Sequence, residues 1–391
     1  MEPRYDAIVL GAGAAGLMCA AQAGARGRRV LLLDHADQPG KKILISGGGR
    51  CNFTNIHTAP DRFISANPHF AKSALSRFTP HDFLALVEAH GIAWHEKTLG
   101  QLFCDGPARQ IVDLLLAECA RGQVELQCDA RACEVSRGED GFTVRWSDRT
   151  AFARSLVIAT GGPSIPKLGA SGFAYELARQ FGLKVVEPRP ALVPLTLSGE
   201  DALFRELSGV ATDVVARCGP AAFREAALFT HRGLSGPAIL QVSSYWRRGE
   251  AIAIDFLPDA DDEWLVRAKQ GNPRATLRST LRSALPDRLA EALGDRLGVI
   301  GPLGGLTNPS LHQAAARLSA WPFNPTGSEG FAKAEVTAGG VSTAELSSRT
   351  MEARRVAGLF VIGEAVDVTG WLGGYNFQWA WASGWAAAQA L

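Results

Sequence analysis

Residues 5–34 decide the fold: Tyr5-Asp-Ala-Ile-Val-Leu10, then Gly11-Ala-Gly13-Ala-Ala-Gly16, then the apolar segment Leu17–Ala25, then Val30-Leu-Leu-Leu33 ending at Asp34. The two short apolar runs read as buried parallel strands and the segment between them as a buried helix, a β-α-β unit within thirty residues. Three glycines alone are a weak signal. Here they follow a strand, open a helix and precede an acid at the end of the next strand, which makes them a dinucleotide fingerprint. Gly11 permits the tight turn, Gly13 lets a pyrophosphate approach the backbone, and Gly16 lets helix pack closely on strand. The free N–H groups of Ala14 and Ala15 at the helix start face the phosphates. Asp34 is positioned to accept from an adenosine ribose and to disfavour a 2′-phosphate. NAD and FAD share this motif, so it leaves the choice between them open.

Outward from this unit, Gly40–Asn55 is too polar and glycine-rich for a regular element. Asn67-Pro68 and Thr79-Pro80 each pair a capping side chain with proline at the first helical position, and Gly91 ends the second helix. A further helix is expected from Pro107 to Arg121, strands at 124–126, 142–146 and 156–158, and a helix at Phe173–Phe181. From about Pro188 the texture becomes that of antiparallel strands: Val193–Leu197, Val210–Cys218, Ala226–Thr230 and Ile252/Ile254/Phe256. A helical block runs from Asp259 to Pro325, with one helix opening at Asn272-Pro273. Phe331–Thr337 is strand-like again, Gly358–Ile362 is a buried-strand run, and Phe377–Ala390 is a small-residue helix. The middle thus reads as an insertion into an α/β domain.

Composition narrows the class. With 391 residues, a prior of roughly 150 per domain gives two or three domains. Hydrophobic residues at 47% and charged residues at 20% describe a folded chain. Forty Lys+Arg against thirty-nine Asp+Glu leave a formal charge of +1, so no global field favours nucleic acid or an anionic membrane. Cysteines 19, 51, 104, 119, 128, 133 and 218 are scattered without a CxxC pair, which excludes a disulfide scaffold and a zinc knuckle. The start, Met1–Asp6, lacks a signal-peptide pattern, and no apolar run reaches ~18 residues. The expectation is a cytoplasmic enzyme without membrane contact, of unknown oligomeric state. The scattered histidines show no ligand spacing, so no metal site is expected.

Glycine is in excess, 42 where an average usage of about 7% gives roughly 27. Its clusters lie far apart in sequence, at 11–16, 47–49, 161–162, 304–305, 339–340 and 370–374, which suggests several loops converging on one extended ligand. Five segments carry a resemblance: Ile45-Ser-Gly-Gly-Gly-Arg-Cys-Asn52, Ala159-Thr-Gly-Gly162, Phe229-Thr-His-Arg-Gly-Leu-Ser-Gly-Pro237, Val336-Thr-Ala-Gly-Gly-Val341 and Gly373-Gly-Tyr-Asn-Phe-Gln-Trp379. Spread in order over nearly the whole chain, they resemble the BaiN-like FAD-dependent flavoproteins of the glutathione-reductase class. The resemblance implies an α/β fold: a Rossmann-like FAD-binding domain formed by 1–188 and 341–391, a β-rich, barrel-like insert at 189–258 and 326–340, and a helical subdomain at 259–325.

It also implies site residues. Lys42, Gly49, Arg50, Cys51 and Asn52 line the stretch from pyrophosphate toward the flavin, and Ala132 falls at the adenine contact. Thr160, Gly161 and Gly162 form the crossing to the insert. Gly363, Glu364 and Asp367 match the second flavin motif, where an acid accepts from the ribityl chain. Gly373, Gly374, Tyr375, Asn376 and Phe377 start the last helix, whose dipole faces the N1/O2 edge of the flavin. Cys51 lacks the partner of a disulfide reductase and reads as a wall of the site. His231, Trp371 and Tyr375 are the catalytic candidates: His231 as proton donor or as a structural residue of its loop, the two aromatics as cover over the substrate or as packing.

The reading is an FAD-dependent oxidoreductase, an oxidase or a reductase, acting on a small organic substrate. NAD(P)H is a transient donor at most, since no second GxGxxG follows a strand. Two alternatives stand beside it. A single-Rossmann NAD dehydrogenase leaves Gly47–Asn52 and Gly373–Trp379 unexplained. A flavoprotein that binds or modifies RNA is opposed by the near-zero net charge, the only basic stripe being Arg274, Arg278 and Arg282 at helical spacing. No nucleic-acid partner is therefore expected.

Overall fold

A computed structural model describes residues 4–391; Met1, Glu2, Pro3 and the Cys133 side chain lie outside the described residues. The chain divides into two compact units, residues 1–189 with 336–391, and residues 190–335.

The first unit is built on a seven-stranded sheet. Strand β1 (Arg4–Leu10), helix α1 (Ala14–Ala25) and strand β2 (Val30–Leu33) form the expected β-α-β unit, with β1 and β2 parallel in the register Ala7↔Val30 to Leu10↔Leu33. Strands β3 (Glu125–Gln127), β4 (Ala132–Arg137), β5 (Phe142–Trp146), β6 (Arg149–Ile158) and β7 (Leu359–Val361) complete it in the order β3-β2-β1-β6-β5-β4, with β7 paired to β6. The pairs β2/β3, β1/β6 and β6/β7 are parallel, while β4, β5 and the start of β6 form an antiparallel meander. Val9 and Val361, 352 positions apart, thus stand in one sheet. Ala7 to Leu10 and Leu31 to Leu33 are fully or almost fully buried, as a sheet covered on both faces requires.

The terminal helix α2 (Tyr375–Ala388) packs against α1. Closeness is set by Gly384, where a Cβ would stand 2.6 Å from the Ala15 carbonyl oxygen. One turn earlier in α2, Trp381 stacks on Phe83 (centroids 4.3 Å apart, 6° between planes) and its Nε1 donates to the Phe53 carbonyl at 2.8 Å. A buried aromatic pair contributes about 0.5–1.5 kcal/mol beyond its area, and the indole N–H is satisfied as well. Thr79-Pro80 starts the helix Pro80–Ala89 with a capping box to Asp82, as expected from its sequence.

The second unit carries a seven-stranded, antiparallel sheet. Its centre is the hairpin Ala211–Cys218/Ala221–Phe229, flanked by Ile252–Asp255 and Trp321–Phe323. Phe204, Phe229, Phe256, Trp321 and Phe323 form an aromatic core on this sheet. Helices Trp264–Gly271, Leu277–Arg282, Asp287–Leu297 and Asn308–Ser319 make up the helical block.

Four local expectations change. Gly40–Asn55 is not irregular: it holds a short helix Lys41–Ile45, a 3-10 turn and the buried strand Asn52–Asn55. Asn67 spends its side-chain oxygen on the His69 amide (3.0 Å), closing an Asx turn, and the helix waits until Lys72. Asn272 ends one helix, and the next starts at Thr276, whose hydroxyl accepts from Ser279 N. Arg274 is therefore off the helix, Arg278 pairs with Asp295, and Arg282 lies 3.9 Å from Glu291, so the basic stripe is largely compensated. The last strand of the middle segment begins at Val336, not Phe331.

Candidate functional site

The glycine turn is shaped as its spacing predicts. Gly11 has φ +103°, and a Cβ there would lie 2.6 Å from the Ala159 carbonyl oxygen; one on Gly16 would lie 1.8 Å from the Gly11 oxygen. Gly13 differs: its φ is −80° and nothing lies within 4 Å of a Cβ built on it. It is the N-cap of α1 without a side-chain cap, so the first-turn amides face open space beside a positive dipole end. Asp34 accepts from the Ala12 amide at 2.6 Å and the Ala36 amide at 2.8 Å. It fixes the turn from beneath, and a carboxylate retains lone pairs for a ribose after two such bonds.

A second loop touches this turn. Gly363 has φ +64°, and a Cβ on it would lie 2.7 Å from the Ala15 Cβ. Helix α2 holds the loop in place: the Gly363 amide donates to Ser383 Oγ at 3.0 Å and Trp379 Nε1 donates to the Gly363 oxygen at 2.9 Å. The next residue, Glu364, meets Lys42 Nζ at 2.7 Å, Ser164 Oγ at 2.8 Å and the Thr337 amide at 2.9 Å, while Lys42 also donates to Ser164 at 2.6 Å. Lys42 and Glu364, named from sequence motifs 322 positions apart, are thus ion-paired; Ser164 and Thr337 carry no site role in the sequence reading. Asp367 is buried, accepts from the Ala66 amide at 3.2 Å, and burial pushes its carboxyl above the usual carboxylate range.

The loop before α2 is anchored to the strand Asn52–Asn55. A Cβ on Gly374 (φ +96°) would stand 2.5 Å from the Thr54 carbonyl oxygen, and Asn55 Nδ2 donates to the Gly373 oxygen at 2.9 Å. Asn376 closes the turn on itself, accepting from the Gly370 amide at 2.8 Å and donating to the Gly370 and Trp371 oxygens. Phe377 follows in the first turn of α2. Gly47, Gly48 and Gly49 all take positive φ, with open space at Gly48 and Gly49, and Arg50 is exposed. Cys51 is fully buried and its thiol is pushed up to about 12 by desolvation, which suits a wall and not a nucleophile. Ala132 is half-buried at the start of β4, opposite Trp146. Thr160, Gly161 and Gly162 follow β6 beside the glycine turn, with Thr160 Cα 2.9 Å from the Cβ position of Gly11.

Of the catalytic candidates, Trp371 and Tyr375 come together edge to face (6.4 Å, 73°), with the Arg62 guanidinium 4.5 Å over the Trp371 ring. Phe63 meets Tyr375 edge-on from the other side (6.2 Å, 86°). His231 belongs to the second unit, exposed in the turn Thr230–Gly233, where its carbonyl accepts from Arg205 Nε at 2.8 Å. Among the described residues no cluster of His, Cys, Asp and Glu could hold a metal, and no helix is long and apolar enough to cross a membrane.

Two glycine loops in contact, an uncapped helix start and an ion-paired acid next to orphaned hydroxyls (Thr160 Oγ1, Tyr175 OH, Thr337 Oγ1) fit a long, polar dinucleotide. A family model described as the HI0933-like protein Rossmann domain matches residues 5–390. The chain belongs to the HI0933-like Rossmann family. Its fold is the Rossmann-like, FAD-binding α/β type with β-rich and helical additions, and the chain is an enzyme of an oxidoreductase-related flavoprotein family. A relative in Escherichia coli (strain K12), named ribosomal RNA dihydrouridine synthase, is 54% identical over 401 residues, covering 99% of this chain and 98% of its own. One of the same name in Haemophilus influenzae is 44% identical, covering 100% and 99%. The 3-dehydro-bile acid delta(4,6)-reductase of Clostridium scindens is 30% identical, covering 98% of each chain. Among solved structures, a 3-ketosteroid-delta4-(5alpha)-dehydrogenase from Rhodococcus jostii RHA1 matches at TM-score 0.50 and 14% identity, covering 99% of this chain and 97% of its own.

These relatives overturn two expectations for this member of the HI0933-like family. The small organic substrate, and the absence of a nucleic-acid partner, give way because full-length relatives at 54% and 44% identity are named for ribosomal RNA. The physical fault lay in using net charge: it averages over the whole surface, whereas phosphate contacts need only a local set of cations.

Proposed function

We propose that this protein is an FAD-dependent ribosomal RNA dihydrouridine synthase of the cytoplasm, with NAD(P)H as transient electron donor. The observation that carries the reading is the pair of full-length relatives of that name at 54% and 44% identity, joined to a site whose loops fit a flavin dinucleotide. Bound FAD, once reduced, supplies the hydride that saturates the C5=C6 bond of a uracil ring, the second carbon taking a proton.

This chain's residues bind and orient. Open space at Gly13 and the uncapped amides of α1 suit the pyrophosphate, and Asp34, held by two backbone amides, suits the adenosine ribose. Lys42 fixes the Glu364 carboxylate by its ion pair, and Glu364 and Asp367 are the acids assigned to the ribityl hydroxyls. The residues from Gly49 to Asn52, Thr160 to Gly162 and Gly373 to Phe377 line the remainder, with Ala132 at the adenine. Trp371 and Tyr375 offer aromatic faces against which an unstacked base can lie.

The test is direct. Purified protein, NADPH or NADH, and ribosomal RNA from a strain lacking the gene are incubated, and the digested nucleosides are analysed by mass spectrometry. Dihydrouridine is expected to rise with enzyme concentration. A yellow protein that oxidises NAD(P)H yet leaves the uridines of every ribosomal RNA unchanged refutes the reading.

A further inference from the structure

Among the described residues of the first unit, three buried hydroxyl oxygens have no hydrogen-bond partner: Thr160 Oγ1, Tyr175 OH and Thr337 Oγ1. Tyr175 is 3% exposed and Thr337 1%. They come from separate segments, Thr160 from the end of β6, Tyr175 from the helix Phe173–Gln180 and Thr337 from the strand Val336–Val341. Gly162 brings two of them together, for a Cβ built on it would stand 2.5 Å from Thr337 Oγ1 and 2.8 Å from Tyr175 OH. The backbone of Thr337 is already engaged, its amide with Glu364 and its carbonyl with Thr369 Oγ1 at 3.4 Å. Only its hydroxyl is left over.

Folded proteins satisfy most buried polar side-chain atoms, and each one left bare has a cost. Two beside Gly162, with a third two residues before it at Thr160, indicate a group absent from the chain alone. Their surroundings identify its chemistry. Burial, then the charges of Glu364 and Asp367, hold the Tyr175 phenol strongly toward its protonated form, so it stands as a donor beside two acceptors. The backbone of Thr160 lies beside Gly11 and the Thr337 amide donates to Glu364, so these residues run from the glycine turn to the second loop.

We infer that Tyr175 and Thr337, with Thr160, are direct hydrogen-bonding contacts of the bound flavin dinucleotide, and that Gly162 is a glycine because any side chain there displaces them. This rests on the FAD reading and gives Tyr175 and Thr337 a role there that the motifs did not assign them. A buried water is the rival occupant, and the two predict opposite behaviour.

The experiment compares Tyr175→Phe and Thr337→Val with wild type in two readouts, FAD affinity of the apo protein by quenching of flavin fluorescence and the melting temperature of the apo protein. If the hydroxyls serve the cofactor, each variant weakens FAD by about 2- to 12-fold, the range of one neutral hydrogen bond. Apo melting stays level or rises, because an orphaned polar atom has gone. Gly162→Ala weakens FAD more than either. The absorbance spectrum of the bound flavin shifts in at least one variant. If apo melting falls while FAD affinity and spectrum stay unchanged, or if none of them moves, the inference is overturned. A wild-type protein that binds no FAD in the same titration sinks the underlying reading instead.

Discussion

Replacing Gly13 with serine sets the stability of the chain and its affinity for a dinucleotide against each other. At this N-cap φ is −80° and ψ −171°, values any residue adopts, and a built Cβ meets nothing within 4 Å. Serine is a better N-cap than glycine by a few tenths of a kcal/mol, because its Oγ accepts from a first-turn amide. Replacing glycine also narrows the unfolded ensemble, worth about 0.4–1 kcal/mol where the native conformation is compatible. The apo protein is therefore expected to gain about 0.5–1 kcal/mol, a rise of roughly 1–4 °C in melting temperature for a unit of this size. The same Oγ occupies the space and the amides that suit a pyrophosphate. Losing one charge-assisted hydrogen bond of about 1.5–3 kcal/mol weakens FAD by roughly 10- to 150-fold. Differential scanning fluorimetry of apo protein and FAD titration read the two effects separately. Raised melting with unaltered FAD affinity refutes the placement of the phosphates, and a fall of several degrees refutes the described turn.

Further outcomes follow from the same geometry. Gly16→Ala, whose Cβ would sit 1.8 Å from the Gly11 oxygen, should yield protein that is largely insoluble or that melts well below wild type even without cofactor. Asp34→Asn leaves an amide N–H facing the Ala12 or Ala36 N–H, so it should destabilise the apo protein by about 1–3 kcal/mol in urea besides weakening FAD; an effect on FAD alone would make Asp34 a ribose contact only. Burial raises the Asp367 carboxyl above its unfolded value, so its ionised form costs stability at neutral pH, and the cost disappears as pH falls below the ordinary aspartate range. Asp367→Asn should therefore stabilise the apo protein at pH 7 and lose that advantage on acidification, as pH-dependent urea melts will show. Among the described cysteines, half-exposed Cys128 should react with a thiol reagent before Cys51, Cys19 and Cys119, whose thiols burial pushes up to about 12; early modification of Cys51 contradicts its place in the wall.

What was legible in the sequence was local or periodic. The β-α-β unit of residues 5–34 announces itself because turn, helix start and both strands lie within one loop closure of each other, and Thr79-Pro80 because a capping box is a three-residue event. Asn67-Pro68 carries the same pattern, a capping residue followed by proline, yet there the Asn side chain closes on His69 two residues later, and this competing local bond replaces the cap. The partners of Lys42 show the same limit. A motif named it and another named Glu364, but Ser164 and the amide of Thr337, which complete the ion pair, come from segments brought in by the sheet. Tyr175 looks like any aromatic residue on the buried face of a short helix, and only the absence of a partner for its hydroxyl sets it apart.

The proposed RNA substrate was harder to read for a related reason. An RNA-modifying enzyme needs cations where phosphates pass, and these are arranged in space without any need for an excess along the chain. With forty basic and thirty-nine acidic residues, the sum is +1, and the one stripe the spacing picks out is largely paired, since Arg278 and Arg282 face Asp295 and Glu291 across two helices. Charge counted by residue therefore argues neither for nor against RNA in a chain this evenly balanced. The informative quantity is the salt dependence of binding, which counts the phosphates actually neutralised, and for a protein with a formal charge of +1 a steep slope identifies a local patch that no total reveals.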